Sequence, residues 1–246
     1  MDNSLRSQKI WAWGGIVSVV AFAIGWCLLA RFLPPLHPSD SPQAIAHIFE
    51  QRRNGIRMGA LVMIIGTCLW VPWSAAVAGQ IWDAEPGRPT NAWVQVGSAA
   101  VGTTLICFAM LTFVVAAFRP DRNPDVTQAL SDLGFIVAVM PFMVFVVWNL
   151  ALAVAILDDP HDEPAFPRWS AYLCAWCALL YVPGGAVAFF HRGPFAWNGL
   201  VGFYVPGVAF FLWVIVMTVL TLRSVDRRMR AAGVAESDRR SASLGH

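Results

Sequence analysis

Six side chains able to bind a metal or move a proton fall on one side of the chain's apolar runs: His37, Asp40, His47, Asp121, Asp132 and His191. Imidazole and carboxylate are common zinc ligands and common general acids and bases. Glu50 could join them. No two of these histidines stand at close ligand spacing, so neither a bound metal nor a cofactor is expected. The six residues instead form a polar face that an enzyme acting on a lipophilic substrate would use. On the other side His161 lies in "DDPHDE", a run of hard oxygen ligands that reads either as a divalent-cation site or as a solvated acidic loop. "CAWC" places Cys174 and Cys177 on one face of a helix. Cys174 sits well inside an apolar run, away from the helix start where a thiolate is stabilised, so packing is the expected role. The five cysteines, Cys27, Cys68, Cys107, Cys174 and Cys177, are odd in number and all lie in apolar runs, which argues against a disulfide framework.

Within the apolar runs the strongest polar side chain is Asn149, beside Trp148 in "VVWNLAL". A buried amide needs partners. Thr103, Thr104 and Ser98 are the candidates for an interhelical hydrogen bond, and a ligand in a cavity is the alternative. Proline falls inside four of the runs, as Pro72, Pro141, Pro183 and Pro206. Each removes a backbone donor and is expected to kink its helix, and neighbours in a membrane bundle can take up the freed carbonyl. Four kinked helices would splay the bundle and leave a cavity bordered by Asn149, Trp148 and these prolines. In "YVPGGAVAFF", Gly184 and Gly185 would also let a neighbouring helix approach closely.

The elements that must position these residues follow from composition. Of 246 residues, 57% are hydrophobic and 13% charged, against roughly 25% charged in an ordinary soluble domain. Six apolar runs, at about 10–30, 58–82, 92–118, 133–157, 169–190 and 196–222, contain no Asp, Glu, Lys or Arg. Each is long enough to cross a hydrocarbon core as a helix, which needs about 20 residues. The expected fold is all-α: a polytopic membrane bundle of six transmembrane helices, several proline-kinked. Residues 1–222 form one transmembrane domain and 223–246 a basic, polar tail. The first run is too long for a signal-peptide core and lacks a small-residue cleavage site, so it is read as a retained span.

Between the first two spans, "HPSDSPQAIAHIFEQRRNG" predicts a short extramembrane helix. Asp40 or Ser41 caps it, Pro42 opens it, Ala44, Ile45, Ile48 and Phe49 make its apolar stripe, and Gly55 ends it. The connection "RPDRNPDVTQALSD" holds Asp121, Asp125 and Asp132 among two arginines, and "HRGPF" forces the last two spans into an antiparallel hairpin. Trp11, Trp13, Trp82, Trp93, Trp169 and Trp197 near span ends are expected interface anchors. An even span count puts both termini on one side. Ten Lys and Arg lie on that side against seven on the other, which predicts cytoplasmic termini and an external polar face. "CLWVPWSAAVA" and "LLYVPGGAVAF" match at an offset of 111, and "NAWVQVGSA" and "FAWNGLVGF" at 104, a weak trace of an inverted repeat.

The strings "FLPPLHPSDS" with "NGIRMGA", "AAFRPDRNPDVTQALSDL", "AFPRW" and "GPFAWNG" resemble a family of bacterial six-span integral membrane proteins with no assigned activity. The likeness covers about residues 32–223. It implies six spans and a bacterial inner membrane, and it implies no mechanism.

Several function classes are disfavoured. A net charge of +2 gives no footprint for nucleic acid. The spans lack the ionisable groups that proton-coupled carriers and ion pumps place in their pathways. No P-loop, H-E-x-x-H or haem motif is present. Three functions remain: non-catalytic binding or passage of a lipophilic small molecule, an accessory or structural subunit of a membrane complex, and a membrane enzyme at the external face. Membrane lipids are the expected partners throughout, with a homodimer or another membrane protein as a further one.

Overall fold

The computed structural model describes residues 3–84, 87–119 and 121–244, excepting the side chains of residues 83 and 234–244. Glu85 and Pro86 of the second connection, Pro120 of the third and the side chains of Arg239 and Arg240 in the tail therefore lie outside the described residues. Within them every regular element is helical: α1 (Asn3–Ala12), α2 (Gly14–Ala23), a π-helical segment (Ile24–Leu29), α3 (Pro42–Gln51), α4 (Arg53–Cys68), α5 (Trp70–Ile81), α6 (Thr90–Ala116), α7 (Pro124–Val139), α8 (Phe142–Leu157), α9 (Trp169–Tyr181), a 3-10 segment (Val182–Phe189), a second π-helical segment (Leu200–Tyr204) and α10 (Val205–Leu244). A single 3-10 turn, Trp82–Ala84, follows α5.

Joined end to end, these make six stretches long and apolar enough to cross a bilayer: Asn3–Leu29, Arg53–Ile81, Thr90–Ala116, Pro124–Leu157, Trp169–Phe189 and Leu200–Gly233. The expectation of an all-α six-span bundle holds. The spans pack in chain order, α2 on α4, α4 and α5 on α6, α6 on α7 and α8, α8 on α9, and α9 on α10. The sixth then closes the ring against α1 and α2 and also touches α5.

The short helix α3 forms where the sequence predicts it. Ser41 Oγ accepts from the Ala44 N–H at 3.3 Å, Pro42 occupies the first position, and Ile45 and Phe49 are buried. Gly55 does not end it. The helix stops at Arg52, and Gly55 and Gly59 face the first span one turn apart on α4. A Cβ on Gly59 would stand 2.6 Å from the Gly25 carbonyl oxygen, so these glycines permit a close helix crossing. The third connection is also shorter than expected. Asn123 Oδ1 accepts from the Asp125 N–H at 3.0 Å and Pro124 opens α7, so Asp125 and Asp132 are helical. The polar first turns of this helix hide it from an apolar-run criterion, although Asn followed by Pro is itself a start signal.

Arginines close the helix ends on the α3 side. Arg53 donates from Nε to the Ala117 carbonyl at 3.2 Å and from Nη2 to the Phe118 carbonyl at 2.7 Å, and Arg122 donates to the Val115 carbonyl at 3.1 Å. All three carbonyls belong to the C-terminal end of α6, where a cation offsets the helix dipole. Arg31, at φ 54°, turns the chain out of the first span, and its carbonyl accepts from Arg52 at 2.7 Å. Beyond it the Leu33–Pro34 peptide is cis.

The ring's interior is aromatic. Trp73, Trp148 and Trp213 are fully buried, with Trp213 edge-on to Trp73 at 5.4 Å and to Trp148 at 5.3 Å between ring centroids. Trp70 and Phe210 extend this layer. A second layer nearer α3 joins Trp26, Phe32, Phe113 and Phe135. Each such ring pair adds about 0.5–1.5 kcal/mol beyond the area it covers. Five of the six expected anchors, Trp11, Trp13, Trp82, Trp93 and Trp169, are exposed at the bundle surface. Trp197 is not: it is buried, stacks on Phe135 at 5.7 Å, and donates its indole N–H to the Leu36 carbonyl at 2.9 Å. It ties the last hairpin to the strap before α3.

Candidate functional site

Helical regularity fails along the spans at defined places. Pro141 lacks the N–H that would continue α7, and α8 starts afresh after it. Span five gives up α-helical form at Val182-Pro183 and continues as the 3-10 segment. Span six opens as a π-helical segment that ends just before Val205-Pro206. Pro72 differs: it lies within the first turn of α5, one turn after the break at Leu69, and the helix runs on past it. Matching "VP" strings therefore carry different local structures. Gly184 and Gly185 fit span five against the gap in span four, since a Cβ on Gly184 would lie 3.1 Å from the Val139 carbonyl and one on Gly185 would collide with the Phe142 ring.

Beside this gap lies an apolar cavity of about 130 Å³. Its floor is buried and mainly aromatic: Trp26, Trp70, Ile106, Tyr181 and Phe210. Its rim is half-exposed: Ala138, Val139, Phe142, Phe203, Pro206 and Gly207. The mouth thus opens sideways, between the α7–α8 break and the start of span six, at the depth of the apolar spans. Two of the lining rings come from the two π-helical segments, Trp26 from the first and Phe203 from the second, and they stack at 5.7 Å with planes 25° apart. Wide i→i+5 turns of this kind occur often at functional sites.

Two of the lining residues each carry a polar atom buried within the packing. The Trp26 indole N–H and the Tyr181 hydroxyl are both buried, and neither has a hydrogen-bond partner. The Tyr181 hydroxyl approaches Asn149 and Cys177 but makes a well-formed hydrogen bond with neither. Asn149 itself is fully buried one layer behind the cavity. Its Nδ2 donates to the Phe145 carbonyl of its own helix at 3.0 Å, and its Oδ1 is unpartnered. Two of its expected partners are engaged elsewhere: Thr103 donates to the Thr67 carbonyl at 3.3 Å and Thr104 to the Ala100 carbonyl at 2.9 Å. Trp148 packs in the central aromatic layer rather than on the cavity. Of the four span prolines, Pro206 lines the cavity, while Pro141 lies between the rim residues Val139 and Phe142.

The polar face on the α3 side is held as separate pairs. His37 Nδ1 lies 2.9 Å from the Asn198 amide nitrogen, and the His37 backbone N–H donates to the Asp40 carboxylate at 3.3 Å. Gln128 on α7 donates to the Asp40 carbonyl at 3.0 Å. His47 pairs with Gln51 one turn on at 2.9 Å, and Asp132 faces His191 electrostatically. Asp121 is exposed in the turn before α7. Among the described residues no three His, Cys, Asp or Glu side chains converge in the manner of a metal site. These contacts fasten the strap, α7 and the last hairpin to one another.

The face bearing the termini carries a second polar cluster. Asp159 is buried and accepts from the His161 backbone N–H at 3.1 Å and the Ala165 N–H at 3.2 Å, with His161 Nδ1 at 2.7 Å. Burial acts to raise its pKa, but these hydrogen bonds and the imidazole outweigh it and hold the carboxyl below its ordinary range. The loop so shaped offers the Pro164 and Ala165 carbonyls to Arg227 at 3.3 and 2.9 Å. Lys9 pairs with Asp226 at 2.7 Å, Arg228 donates to the Gln80 carbonyl at 3.2 Å, and Gln80 donates to Gln8 at 2.7 Å. Open clefts beside this network reach about 650 Å³, but they lie between the loop and the charged part of α10, from Leu220 to Arg230. Helix α10 runs unbroken across residue 222, with Ser224 and Val225 buried against the bundle. The "CAWC" pair serves packing: Cys174 Sγ accepts the Trp213 indole N–H at 3.3 Å, and the Cys177 thiol faces the Ala209 carbonyl at 3.6 Å.

Fold and cavity together define a class: a six-span helical membrane protein with an aromatic chamber open to the side. Comparison with family models, with curated proteins and with solved structures finds no match for the chain.

Proposed function

We propose that this protein binds a lipophilic small molecule that reaches the cavity sideways from the surrounding bilayer, without chemical conversion by the protein. The observation that supports the reading is the pairing of a buried aromatic floor with a half-exposed rim at the interruptions of spans four and six. At about 130 Å³ the chamber is close to the roughly 150 Å³ cavity that takes up benzene in an engineered protein, so it suits one six-membered ring with any tail left in the lipid. Bending at Pro141 and Pro206 is what parts the two spans there. The absence of charge from the six apolar runs suits an uncharged guest. The protein resides in a bacterial inner membrane with both termini cytoplasmic, following the resemblance and the excess of Lys and Arg on that side.

The test is native mass spectrometry of protein taken from membranes into lipid nanodiscs, titrated with decylbenzene. Gly207 borders the chamber, and a Cβ there meets no atom within 4 Å, so Gly207→Phe can be accommodated at the mouth. Wild type should retain one equivalent of probe and Gly207→Phe markedly less. Equal retention by both would sink the reading.

A further inference from the structure

On the α3 side, where the first span ends, an open cleft of about 600 Å³ is lined by three charged side chains, Arg31, Arg52 and Asp40. Among the described residues none of the three forms an ion pair, and the Arg31 guanidinium has no hydrogen-bond partner. Backbone contacts fix where they stand. Arg52 donates from Nη1 to the Arg31 carbonyl at 2.7 Å, which leaves most of its five N–H donors for another acceptor. Arg31 holds φ 54°, a conformation that glycine adopts more easily, and such outliers gather at ligand clamps. Asp40 lies just before α3. Its carboxylate accepts only the long bond from the His37 N–H, at 3.3 Å, while its carbonyl is tied to Gln128 on α7 at 3.0 Å. Two guanidinium groups and a carboxylate, left unpaired in one cleft, suit a ligand that carries both signs of charge.

Next to the charges the cleft is apolar, with Leu28, Leu33, Pro34 and Ile48 in its walls. Leu28 continues an exposed stripe of span one through Ile24, Val20 and Val17, at helical spacing. At 1.5 Å per residue the stripe is roughly 20 Å long from Val17 to Arg31, enough for the ~15 Å that one leaflet gives to the hydrocarbon core. We propose that this cleft binds the head of a glycerophospholipid bearing both a phosphate and a primary ammonium, the chemistry of phosphatidylethanolamine. Arg31 and Arg52 donate to the phosphate oxygens, Asp40 accepts from the ammonium, and an acyl chain lies along the stripe of span one. A head with phosphate alone leaves Asp40 without a partner. A quaternary ammonium has no N–H to offer it. The cleft shares no lining residue with the aromatic chamber, so this site stands apart from the binding function proposed above.

The full chain, stripped of bound lipid in detergent, is titrated by native mass spectrometry with dioleoyl phosphatidylethanolamine, phosphatidylglycerol and phosphatidylcholine. Wild type should bind one equivalent of the ethanolamine lipid about fivefold more tightly than either of the others, the ratio one further charge contact supplies near a membrane surface. Arg31→Gln should weaken the ethanolamine lipid by a similar factor. Arg31→Gly should do the same although it eases the backbone, which separates loss of binding from loss of fold. Asp40→Asn keeps an acceptor for the His37 N–H. It should erase the preference over phosphatidylglycerol and leave phosphatidylglycerol bound at least as tightly as before. Equal binding of the three lipids by wild type would overturn the proposal. So would a preference that survives Asp40→Asn, or an affinity for the ethanolamine lipid undiminished in both Arg31 variants. Soluble O-phosphoethanolamine that displaces the lipid at equal concentration would overturn a lipid as the occupant.

Discussion

Filling the chamber from its rim should stabilise the empty protein and abolish its response to ligand. Ala138 lines the mouth and is half-exposed, so Ala138→Phe places a ring into the space a guest would use. An empty cavity costs up to about 24 cal/mol per Å³, which for about 130 Å³ sets a ceiling near 3 kcal/mol. Lipid chains can cover part of the open side, so the gain on filling should fall below that ceiling, at about 1–2 kcal/mol. A guest present at 100 times its Kd adds about 2.7 kcal/mol to the wild type. For a chain of this size that corresponds to a rise in Tm of roughly 5–10 °C. The assay is thermal unfolding in detergent, followed by loss of monodisperse protein, with and without decylbenzene. Ala138→Phe should melt a few degrees above wild type without ligand and gain nothing when ligand is added. A variant that gains as many degrees as wild type would show that the probe does not occupy this chamber. A variant that melts well below wild type would show that the rim has no room for a ring.

Four further outcomes are expected. Asp159→Asn, which weakens a buried acceptor of three hydrogen bonds, should lower stability by about 1–3 kcal/mol and expose the 158–168 loop to proteolysis. Because its folded pKa is lowered, the Asp159 carboxylate's contribution is complete above the unfolded value of about 3.9 and is lost as pH falls through the lower folded value. Proteolysis of that loop in wild type, followed from pH 7 downwards, should therefore stay slow until the pH drops below about 4. Arg53→Gln removes the cation from the C-terminal carbonyls of α6 and should cost about 1 kcal/mol in thermal unfolding, with ligand response unchanged. Arg31→Gly relieves the left-handed backbone at φ 54° and should be neutral or stabilising by up to about 1 kcal/mol, whereas Arg31→Val should destabilise.

What could be read from the sequence was whatever a single stretch decides by itself. Six spans follow from the absence of charge over six long runs, and α3 follows from Ser41-Pro42 with its apolar stripe. The start of α7 was equally local but was masked by the polar residues around Asp125 and Asp132. Trp197 was misplaced because an end-of-span tryptophan normally sits at the interface, and only the fold brings it to the Leu36 carbonyl. The chamber was foreseen only as a consequence of prolines. Pro206 does line it, but Trp26, Phe203 and Tyr181 carried no signal, since π-helical turns leave no single-residue signature and these rings meet across distant parts of the chain. Asn149 drew attention for its polarity, yet it stands behind Tyr181 and not on the cavity. Gly55 and Gly59, one turn apart in "NGIRMGA", are a legible packing signal, of which Gly55 reads in the sequence as a helix stop.

The sideways mouth changes what concentration means for any guest. A molecule that partitions into the bilayer is counted there as a mole fraction among lipids, and it diffuses in two dimensions past Ala138 and Gly207. Its apparent aqueous affinity combines partitioning with docking, so the docking step itself can be weak and still leave the chamber full. Saturation should then follow the ratio of guest to lipid: doubling the lipid at fixed protein and guest would halve occupancy below saturation.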